Sequence, residues 1–369
     1  MLYYSGGKSR VFRNLDIPLV VLTLITAVFG LIMIYSTGGT SCLVVQSVAL
    51  LLGIGGSAVL IAFADYRYLA QISRYLYLAV TVLLILVLIP GVGALRNGAR
   101  SWFALGPVNI QPSEFAKIVF ILAFANCLSE QENGINQPKT LLKLLAIFGI
   151  FVVLILIQPD FGTASVFFCM ALMMLFVAGL NWKFLLGGLG ALAVVCPVLW
   201  FFVLKDYQKA RILTVFHPEA DPSGSGYHLI QSKTAIGSGK FFGTGLFQGS
   251  SQVNNLLPER HTDFIFSAIC EELGTIGAIV AIVLLVWIIV RCIIVGRNAR
   301  DSLGTYICMG VAGMLIFQVF ENIGMCLGLF PVTGITLPFF SYGGSSLLTT
   351  LLCIGLVLNV KWRSRVINF

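Results

Sequence analysis

Residues 17–36, IPLVVLTLITAVFGLIMIYS, form a run of twenty residues without a single charge. A helix needs about 20 apolar residues to cross the hydrocarbon core of a bilayer, so this stretch predicts a transmembrane helix. It follows the basic residues Lys8, Arg10 and Arg13, and it contains no small-residue cleavage pattern. We therefore expect a membrane anchor here and not a removable signal peptide.

The whole chain shares the composition of this stretch. Of its 369 residues, 58% are hydrophobic and 10% are charged, whereas soluble domains carry about 25% charged residues. This excludes a soluble multidomain protein, and it excludes a disordered chain, which needs low hydrophobicity. The net charge of +8 does not indicate a nucleic-acid partner, because the charges lie in short segments between apolar runs. We predict one all-α polytopic membrane domain over residues 1–369, embedded in the lipid bilayer.

Ten apolar runs predict ten transmembrane helices. Their approximate limits are 17–36, 43–63, 69–90, 113–128, 140–157, 161–180, 184–204, 264–295, 302–328 and 341–360. Because ten is even, both termini lie on the same side of the membrane.

The distribution of basic residues predicts which side that is. If both termini are cytoplasmic, the inner segments hold 14 of the 23 basic residues and five of the 15 acidic ones. Cytoplasmic loops are enriched in Lys and Arg. The sequence therefore predicts a multi-pass membrane protein with both termini in the cytoplasm.

The connection between the seventh and eighth spans, residues 205–262, is longer than a bundle requires. Long loops are usually functional or disordered, and this one is rich in Gly and aromatic residues and contains all three His residues. We expect an ordered extracytoplasmic cap with short helices at the membrane interface. Its glycines form neither a phosphate-binding loop nor a dinucleotide fingerprint. The nine Cys residues predict packed thiols without disulfide or zinc spacing.

Ionisable residues cluster at the outer ends of the predicted helices. Glu114 and Lys117 are three residues apart, so they share a helix face. Asp160 precedes the sixth span and Asp263 precedes the eighth. Ionisable residues within a membrane are costly and suggest function. Each also has a structural alternative: a helix-start pair for Glu114 and Lys117, an N-cap for Asp160, and a first-turn acid for Asp263.

Carboxylates and cations therefore meet at the outer leaflet, which suits an anionic substrate carried by the membrane. The segment 331–346, PVTGITLPFFSYGGSS, is irregular at membrane depth and so must line protein or a polar cavity. The residues that we expect to bind substrate are Trp102, Arg100, Arg211, Asp160, Lys233, His261 and Ser341.

Five motifs carry a resemblance to a known family. They are ARSWFALGPVNIQPSEFAK (99–117), QPDFGTA (158–164), GSGYHLIQSKTAIGSGKFFGTG (224–245), LPERHTDFIFSAICEELG (257–274) and ENIGMCLGLFPVTGITLPFFSYGGSS (321–346). In this order they resemble the SEDS family (shape, elongation, division and sporulation) over nearly the whole chain. PVTG before LPFFSYGGSS and HTDFIF after LPE resemble the RodA branch more than the FtsW branch.

The resemblance implies a peptidoglycan glycosyltransferase that polymerises lipid II on the outer face of the membrane, for cell elongation and rod shape. It implies a class B penicillin-binding protein as partner, with other membrane proteins of the elongation complex. It matches the family's essential aspartate to Asp263, its motif glutamate and lysine to Glu114 and Lys117, and its loop tryptophan to Trp102.

Asp263 is then expected either to act as general base or, with Glu114, to hold a divalent cation such as Mg or Mn. Three other functions stay open at this point. A transporter that flips lipid II would also place charges and broken helices in the membrane. A division or sporulation polymerase of the FtsW or SpoVE type fits the same motifs. A scaffold without chemistry is the least favoured, because HTDFIF and QPSEFAK are both present in full.

Overall fold

The computed structural model describes residues 15–96, 99–105, 108–131, 134–203, 206–221, 224–248, 257 and 259–364. Lys8, Arg10, Arg13, Arg365 and part of the 205–262 loop lie outside these described residues. In chain order the elements are α1 (Ile17–Phe63), α2 (Tyr66–Leu86), β1 (Ala94–Arg96), β2 (Ala99–Leu105), β3 (Val108–Ile110), α3 (Pro112–Glu130), α4 (Pro138–Ile157), α5 (Phe161–Val177), α6 (Trp182–Val198, followed by a π-helical turn at Leu199–Val203), α7 (Asp206–Leu213), a 3₁₀ turn (Pro218–Ala220), α8 (Ser225–Ser238), α9 (Ile265–Arg297), α10 (Ser302–Leu327) and α11 (Gly344–Arg363).

Long apolar helices dominate this fold. Seven described helices are long and apolar enough to cross a membrane, and α5 is a shorter apolar helix of 17 residues. The predicted class of a helical polytopic membrane protein is confirmed, while the count of ten spans stays a prediction. The described part of the 205–262 loop contains α7 and α8.

Helix α1 contains two spans. Its helical conformation is interrupted at Gly39, where φ is 73° and ψ is −169°. Asp16, which caps the start of α1, pairs with Arg291 late in α9. Ala64, which follows the end of α1, accepts a 2.8 Å hydrogen bond from Asn359 late in α11.

Helices α9 and α11 begin at the same level, because Ser341 Oγ donates a 2.6 Å hydrogen bond to the carbonyl of Thr262. Both ends of α1 therefore lie at the far end of the bundle from this contact. It follows that Gly39 separates two antiparallel spans, 17–38 and 40–63, close to the limits that the sequence predicts.

Ion pairs connect the chain segments at that far end of the bundle. They are Arg67–Asp301, Lys143–Glu130, Arg291–Asp16 and Arg363–Asp65. Each pair joins two residues that the charge distribution assigns to one side of the membrane. We call this end of the bundle the basic end, and its location in the cytoplasm stays a prediction.

A three-stranded antiparallel sheet precedes α3, and the sequence analysis did not predict it. In its register Trp102 faces Ala94 and Phe103 faces Ile110. Strands β1 and β3 have three residues each, which is too short for the alternation that identifies a strand in a sequence. Ser345 Oγ donates a 3.2 Å hydrogen bond to the carbonyl of Asn109, so the sheet is attached to the start of α11.

Small residues bring the central helices into close contact. A Cβ added to Gly313 of α10 would lie 3.0 Å from Met173 Cβ and 3.1 Å from the backbone oxygen of Cys169, both on α5. A Cβ on Gly30 of α1 would lie 2.1 Å from the carbonyl oxygen of Phe339. Such small-residue contacts are typical of helix packing in lipid. They fix the helix starts that carry the polar groups.

Of the eight cysteines whose side chains are described, six are buried and two are partly buried.

Candidate active site

The predicted site residues lie at the end of the bundle opposite the basic end, where α3, α5, α9 and α11 begin. The structure divides them into two groups. One surrounds Glu114 and Lys117 on α3, and the other surrounds Asp263 before α9.

Glu114 and Lys117 form a buried ion pair on the first turns of α3. Lys117 Nζ lies 2.8 Å from Glu114 Oε1, and the two side chains are 2% and 8% exposed, respectively. The shared helix face inferred from their spacing is therefore observed. The second oxygen, Glu114 Oε2, is buried and has no hydrogen-bond partner among the described residues. It is an acceptor in need of a ligand or water, because buried polar groups are normally paired.

Asp160 caps α5 beside this pair. Its carboxylate accepts hydrogen bonds from Thr163 N (2.9 Å) and Thr163 Oγ1 (2.8 Å), and from Gln111 Nε2 at 3.3 Å. Burial raises the pKa of the Asp160 carboxyl, the Thr163 hydrogen bonds oppose this, and the charge of Glu114 adds a smaller increase. Both interpretations of Asp160 thus hold in part: it is an N-cap, and it lies within the electrostatic range of Glu114 and Lys117.

Glu321, near the end of α10, adds a third carboxylate to this group. It is 6% exposed, and its Oε2 atom has no hydrogen-bond partner among the described residues. Its charge interacts with that of Asp160. The first group is therefore one lysine among three carboxylates.

Asp263 sits in a tight turn built on Glu259. The carbonyl oxygen of Glu259 accepts hydrogen bonds from the backbone N–H groups of Thr262 (3.2 Å), Asp263 (3.1 Å) and Phe264 (3.3 Å). Glu259 has a φ of 55°, a conformation that is uncommon for a residue other than glycine. The turn leads directly into α9.

The environment of Asp263 favours its neutral form. Burial, and secondarily the charge of Glu259, raise the pKa of the Asp263 carboxyl to about 7. Among the described residues, no hydrogen bond to its carboxyl oxygens is found. A carboxylate with a pKa near neutrality suits proton transfer at physiological pH.

The side chain of Asn322 connects the Asp263 turn to segment 331–337. Asn322 Nδ2 donates to the carbonyl oxygens of Asp263 (2.8 Å) and Ile335 (2.7 Å). Next to Ile335, a Cβ on Gly334 would lie 3.5 Å from Asp263 Oδ2. Segment 331–337 therefore lies against Asp263.

The same segment reaches the first group. A Cβ on Gly162, two residues after Asp160, would lie 2.7 Å from Ile335 Cγ1 and 3.1 Å from Thr333 Cβ. Segment 331–337 thus connects the two groups.

Ser341 and His261 lie behind Asp263. The Ser341 hydroxyl donates to Thr262 O (2.6 Å) and accepts from Leu337 N (2.8 Å), so it positions the backbone on both sides of the site. The His261 carbonyl accepts from Tyr342 N at 2.8 Å, and the two rings pack at 5.5 Å. Burial lowers the pKa of His261. These contacts support the turn, and the expectation that Ser341 and His261 contact substrate stays a prediction.

The remaining expected residues lie on three different elements. Arg100 and the half-buried Trp102 lie on β2, and Arg100 Nη1 is buried without a partner among the described residues. Arg211 is exposed on α7. Lys233 is exposed on α8 and lies against Gly328, where an added Cβ would be 2.2 Å from Lys233 Cε. Arg100, with its unpaired buried nitrogen, is the one of these cations poised for an anionic group.

The described side chains do not form a metal site by themselves. No three His, Cys, Asp or Glu residues of the described chain converge closely enough to hold a metal ion. Glu259 is the carboxylate whose charge affects Asp263, and a divalent cation held by Asp263 and Glu114 stays a prediction.

Two residues that the sequence analysis did not single out organise the site. Gln46 of α1 is 1% exposed, donates to Ser341 O (3.0 Å) and accepts from Gly343 N (3.1 Å). Glu259 shapes the turn and the electrostatics of Asp263. Gln46 is the one amide in the predicted span 43–63. A single amide among mainly apolar residues could have identified it from the sequence. For Glu259 the sequence offers no signal beyond its proximity to Asp263.

The chain is similar to several known proteins. The chain is 40% identical to stage V sporulation protein E of Bacillus subtilis, covering 95% of this chain and 98% of the relative. It is 37% identical to the peptidoglycan glycosyltransferase MrdB of Escherichia coli, covering 79% of each. A solved structure described as a peptidoglycan synthase complex that coordinates polymerization and crosslinking contains a chain with a TM-score of 0.83 and 37% identity, covering 94% of this chain and 97% of that one.

The sequence also matches the FtsW/RodA/SpoVE family, described as cell cycle proteins, over residues 16–366. This match extends across α1 to α11 and includes both groups of site residues. The resemblance to the SEDS proteins is confirmed, and the chain belongs to the FtsW/RodA/SpoVE family.

Proposed function

We propose that this protein polymerises lipid II into β-1,4-linked glycan strands at the outer face of the bacterial cytoplasmic membrane, and that it serves cell elongation and rod shape. The broader assignment rests on its relatives. Proteins of this family that are 36–37% identical to the chain are named peptidoglycan glycosyltransferases, and the chain is a membrane-embedded glycosyltransferase of the inner membrane. The observation that carries the proposed polymerisation chemistry is Asp263, a half-buried residue at the site end of the bundle, where the surroundings raise the pKa of its carboxyl to about 7.

Asp263 acts as the general base in this scheme. The donor sugar is joined α to undecaprenyl diphosphate, and the new bond is β, so one inverting displacement is sufficient. The acceptor 4-hydroxyl gives its proton to Asp263 as its oxygen bonds to C1 of the donor sugar. The C1–O bond to the diphosphate breaks, and the diphosphate leaves with the electron pair. Inverting glycosyl transfer uses a carboxylate base in the same way.

The departing diphosphate needs positive charge and not an acid, because it leaves as an anion. Lys117 is the first candidate, since it lies in the first group, across segment 331–337 from the base. Glu114 orients the Lys117 ammonium through the 2.8 Å hydrogen bond. Arg100 is a second candidate because its Nη1 atom is buried and unpaired among the described residues. Fixed charges aimed at developing negative charge lower the barrier strongly in a site of low dielectric constant.

Partners follow from the same assignment. Lipid II is the substrate, and a class B penicillin-binding protein crosslinks the strands. The similarity to a chain of a synthase complex that couples polymerization to crosslinking supports this pairing. We further propose cytoplasmic termini, which place the basic end inside and the Asp263 end outside.

A role in sporulation or division is the second candidate. The 40% identity to stage V sporulation protein E over 95% of the chain favours it. Complementation would separate the two, because an elongation polymerase restores rod shape to cells lacking their own, whereas a sporulation polymerase restores spores.

The direct test is polymerisation of lipid II by the purified protein in liposomes, with and without a cognate transpeptidase. Asp263→Asn should fold and bind its partner yet lose polymer by about 10²–10⁴-fold, the usual contribution of a general base. Polymer at the level of the unmodified protein from Asp263→Asn would exclude the assignment. Translocation of fluorescent lipid II without polymer would favour a flippase instead.

A further inference from the structure

Residues 239–248 fill a break in α9. The helix is interrupted at Gly274, where φ is 65° and ψ is −164°. Beyond the break, Thr275 N donates to Lys240 O (2.9 Å) and Ile276 N donates to Phe241 O (3.4 Å). Before it, the carbonyl groups of Glu271 and Glu272 accept hydrogen bonds from Thr244 N (2.9 Å) and Gly245 N (3.0 Å). The segment therefore replaces backbone hydrogen bonds that the broken helix cannot make itself.

Three glycines bring residues 239–248 close to the break in α9, and we call this contact the joint. A Cβ on Gly239 would lie 1.8 Å from Cys270 O, one on Gly243 would lie 2.1 Å from Glu272 O, and one on Gly274 would lie 2.4 Å from Gly243 N. No larger residue fits at these positions without movement of backbone. Residues 239–248 are thus packed tightly against α9.

The side chains at its tip point away from this joint. Phe241 is 72% exposed, Phe242 is 84% exposed, and the preceding Lys240 is also exposed. We call Lys240, Phe241 and Phe242 the tip. Behind it, Phe247 packs against Tyr35 of α1 with their rings 5.6 Å apart.

The lengths of two helices indicate how deep the tip lies in the membrane. From Gly274 to Arg297 at the basic end, α9 rises about 35 Å at 1.5 Å per residue. Glu272 is bonded to Ser36 (2.6 Å), and from Ser36 back to Ile17 α1 rises about 29 Å. Both lengths are close to the hydrocarbon thickness of about 30 Å. The break, and the tip joined to it, therefore lie at the boundary between hydrocarbon and headgroups.

We propose that the tip is a binding site for an anionic phospholipid of the surrounding bilayer, with Phe241 and Phe242 among the upper acyl carbons and the Lys240 ammonium at the phosphate. Aromatic and apolar side chains beside a lysine suit this boundary, where one end of the site is apolar and the other is hydrated. The joint holds the backbone that carries the two rings in place.

A phospholipid bound at the tip would also affect the candidate active site. The tip is hydrogen-bonded to both sides of the α9 break, and the part of α9 before the break, 265–273, begins just after Asp263. A phospholipid held at the tip therefore fixes the height of the Asp263 turn relative to the membrane surface. The proposal does not depend on which reaction the site carries out.

Photocrosslinking tests the proposal. Phe242 is replaced by p-benzoylphenylalanine, and the full-length protein is irradiated in vesicles of phosphatidylglycerol and phosphatidylcholine without substrate. Intact-mass analysis should find phospholipid adducts, with phosphatidylglycerol enriched at least threefold over its mole fraction. Lys240→Gln in the same background should remove the enrichment but keep the adducts.

Two other positions serve as controls. The same photoreactive residue at Phe176, which is 69% exposed on α5, should give lipid adducts that Lys240→Gln leaves unchanged, and at the buried Phe340 it should give none. Position 241 repeats the measurement if the 242 variant does not fold. Adducts without phosphatidylglycerol enrichment, crosslinks between two copies of the chain, or no adduct at either position would overturn the proposal. So would adducts found only after a polyprenyl substrate is added.

Discussion

The backbone N–H of Asp263 donates a 3.1 Å hydrogen bond to the carbonyl of Glu259, and the Glu259 charge adds to burial in raising the pKa of Asp263 to about 7. Glu259 therefore helps to position the candidate base and adds to the effect of burial on its proton affinity.

The rate of glycan synthesis should rise with pH through about 7. Burial favours the protonated form of Asp263, so below this pH the carboxyl already carries a proton and cannot accept one from the acceptor hydroxyl. The initial rate should fall about tenfold per pH unit on the acid side and level off above neutrality. Lipid II polymerisation measured between pH 5 and 9 checks this, and a rate independent of pH over that range would argue against Asp263 as base.

Glu259→Gln should move the acid limb of this profile to lower pH. The substitution removes the negative charge that raises the pKa of Asp263 and keeps the backbone carbonyl that forms the turn. The polymerisation rate at pH 6 should therefore increase relative to its own plateau. Glu219→Gln is the matched control, because Glu219 is an exposed acid of the same loop. An identical shift in both variants would point to a general charge effect.

Lys117→Ala should reduce turnover more than Lys183→Ala, which changes an exposed lysine at the start of α6. Loss of one charge that stabilises the leaving group costs about 10²–10³-fold in rate. The single change also leaves Glu114 buried and unpaired, which destabilises a protein by about 3–5 kcal/mol. The double variant Lys117→Met with Glu114→Gln removes both charges, so it should regain thermal stability and remain inactive. Recovery of activity in the double variant would assign the pair a purely structural role.

Gly274→Ala should destabilise the fold. The added Cβ would lie 2.4 Å from Gly243 N and 2.5 Å from Phe241 O, at a φ of 65°. Overpacking of this kind costs about 1–3 kcal/mol, and a positive φ adds to it. Thermal unfolding in detergent should show a lower Tm than for Gly187→Ala, where nothing lies within 4 Å. Equal melting temperatures would mean that the loop and the helix break separate easily.

The sequence was most informative where the bilayer imposes one solution. Uncharged runs such as 17–36 predicted the helices, and the scarcity of charge made Asp263, Glu114 and Lys117 visible. The spacing of Glu114 and Lys117 was enough to predict their contact, because helix geometry is local.

Contacts between distant segments were harder to predict. The insertion of residues 239–248 into the α9 break depends on backbone hydrogen bonds, which any residue type can make. The β1–β3 sheet has strands too short to show alternation. Glu259 affects Asp263 through a turn in which Glu259 has a positive φ. A glutamate in the sequence does not predict that conformation. The contact of Asp263 with segment 331–337 joins residues that are far apart in sequence.

The turn at Gly39 has a consequence for how the protein enters the membrane. Between Asp16 and Asp65 the chain contains no charged residue, and only Gly39 leaves the helical conformation. Carrying this turn across the bilayer moves glycines and hydroxyl groups but no ion. The first two spans can therefore insert together as one helical hairpin, before the helices that follow.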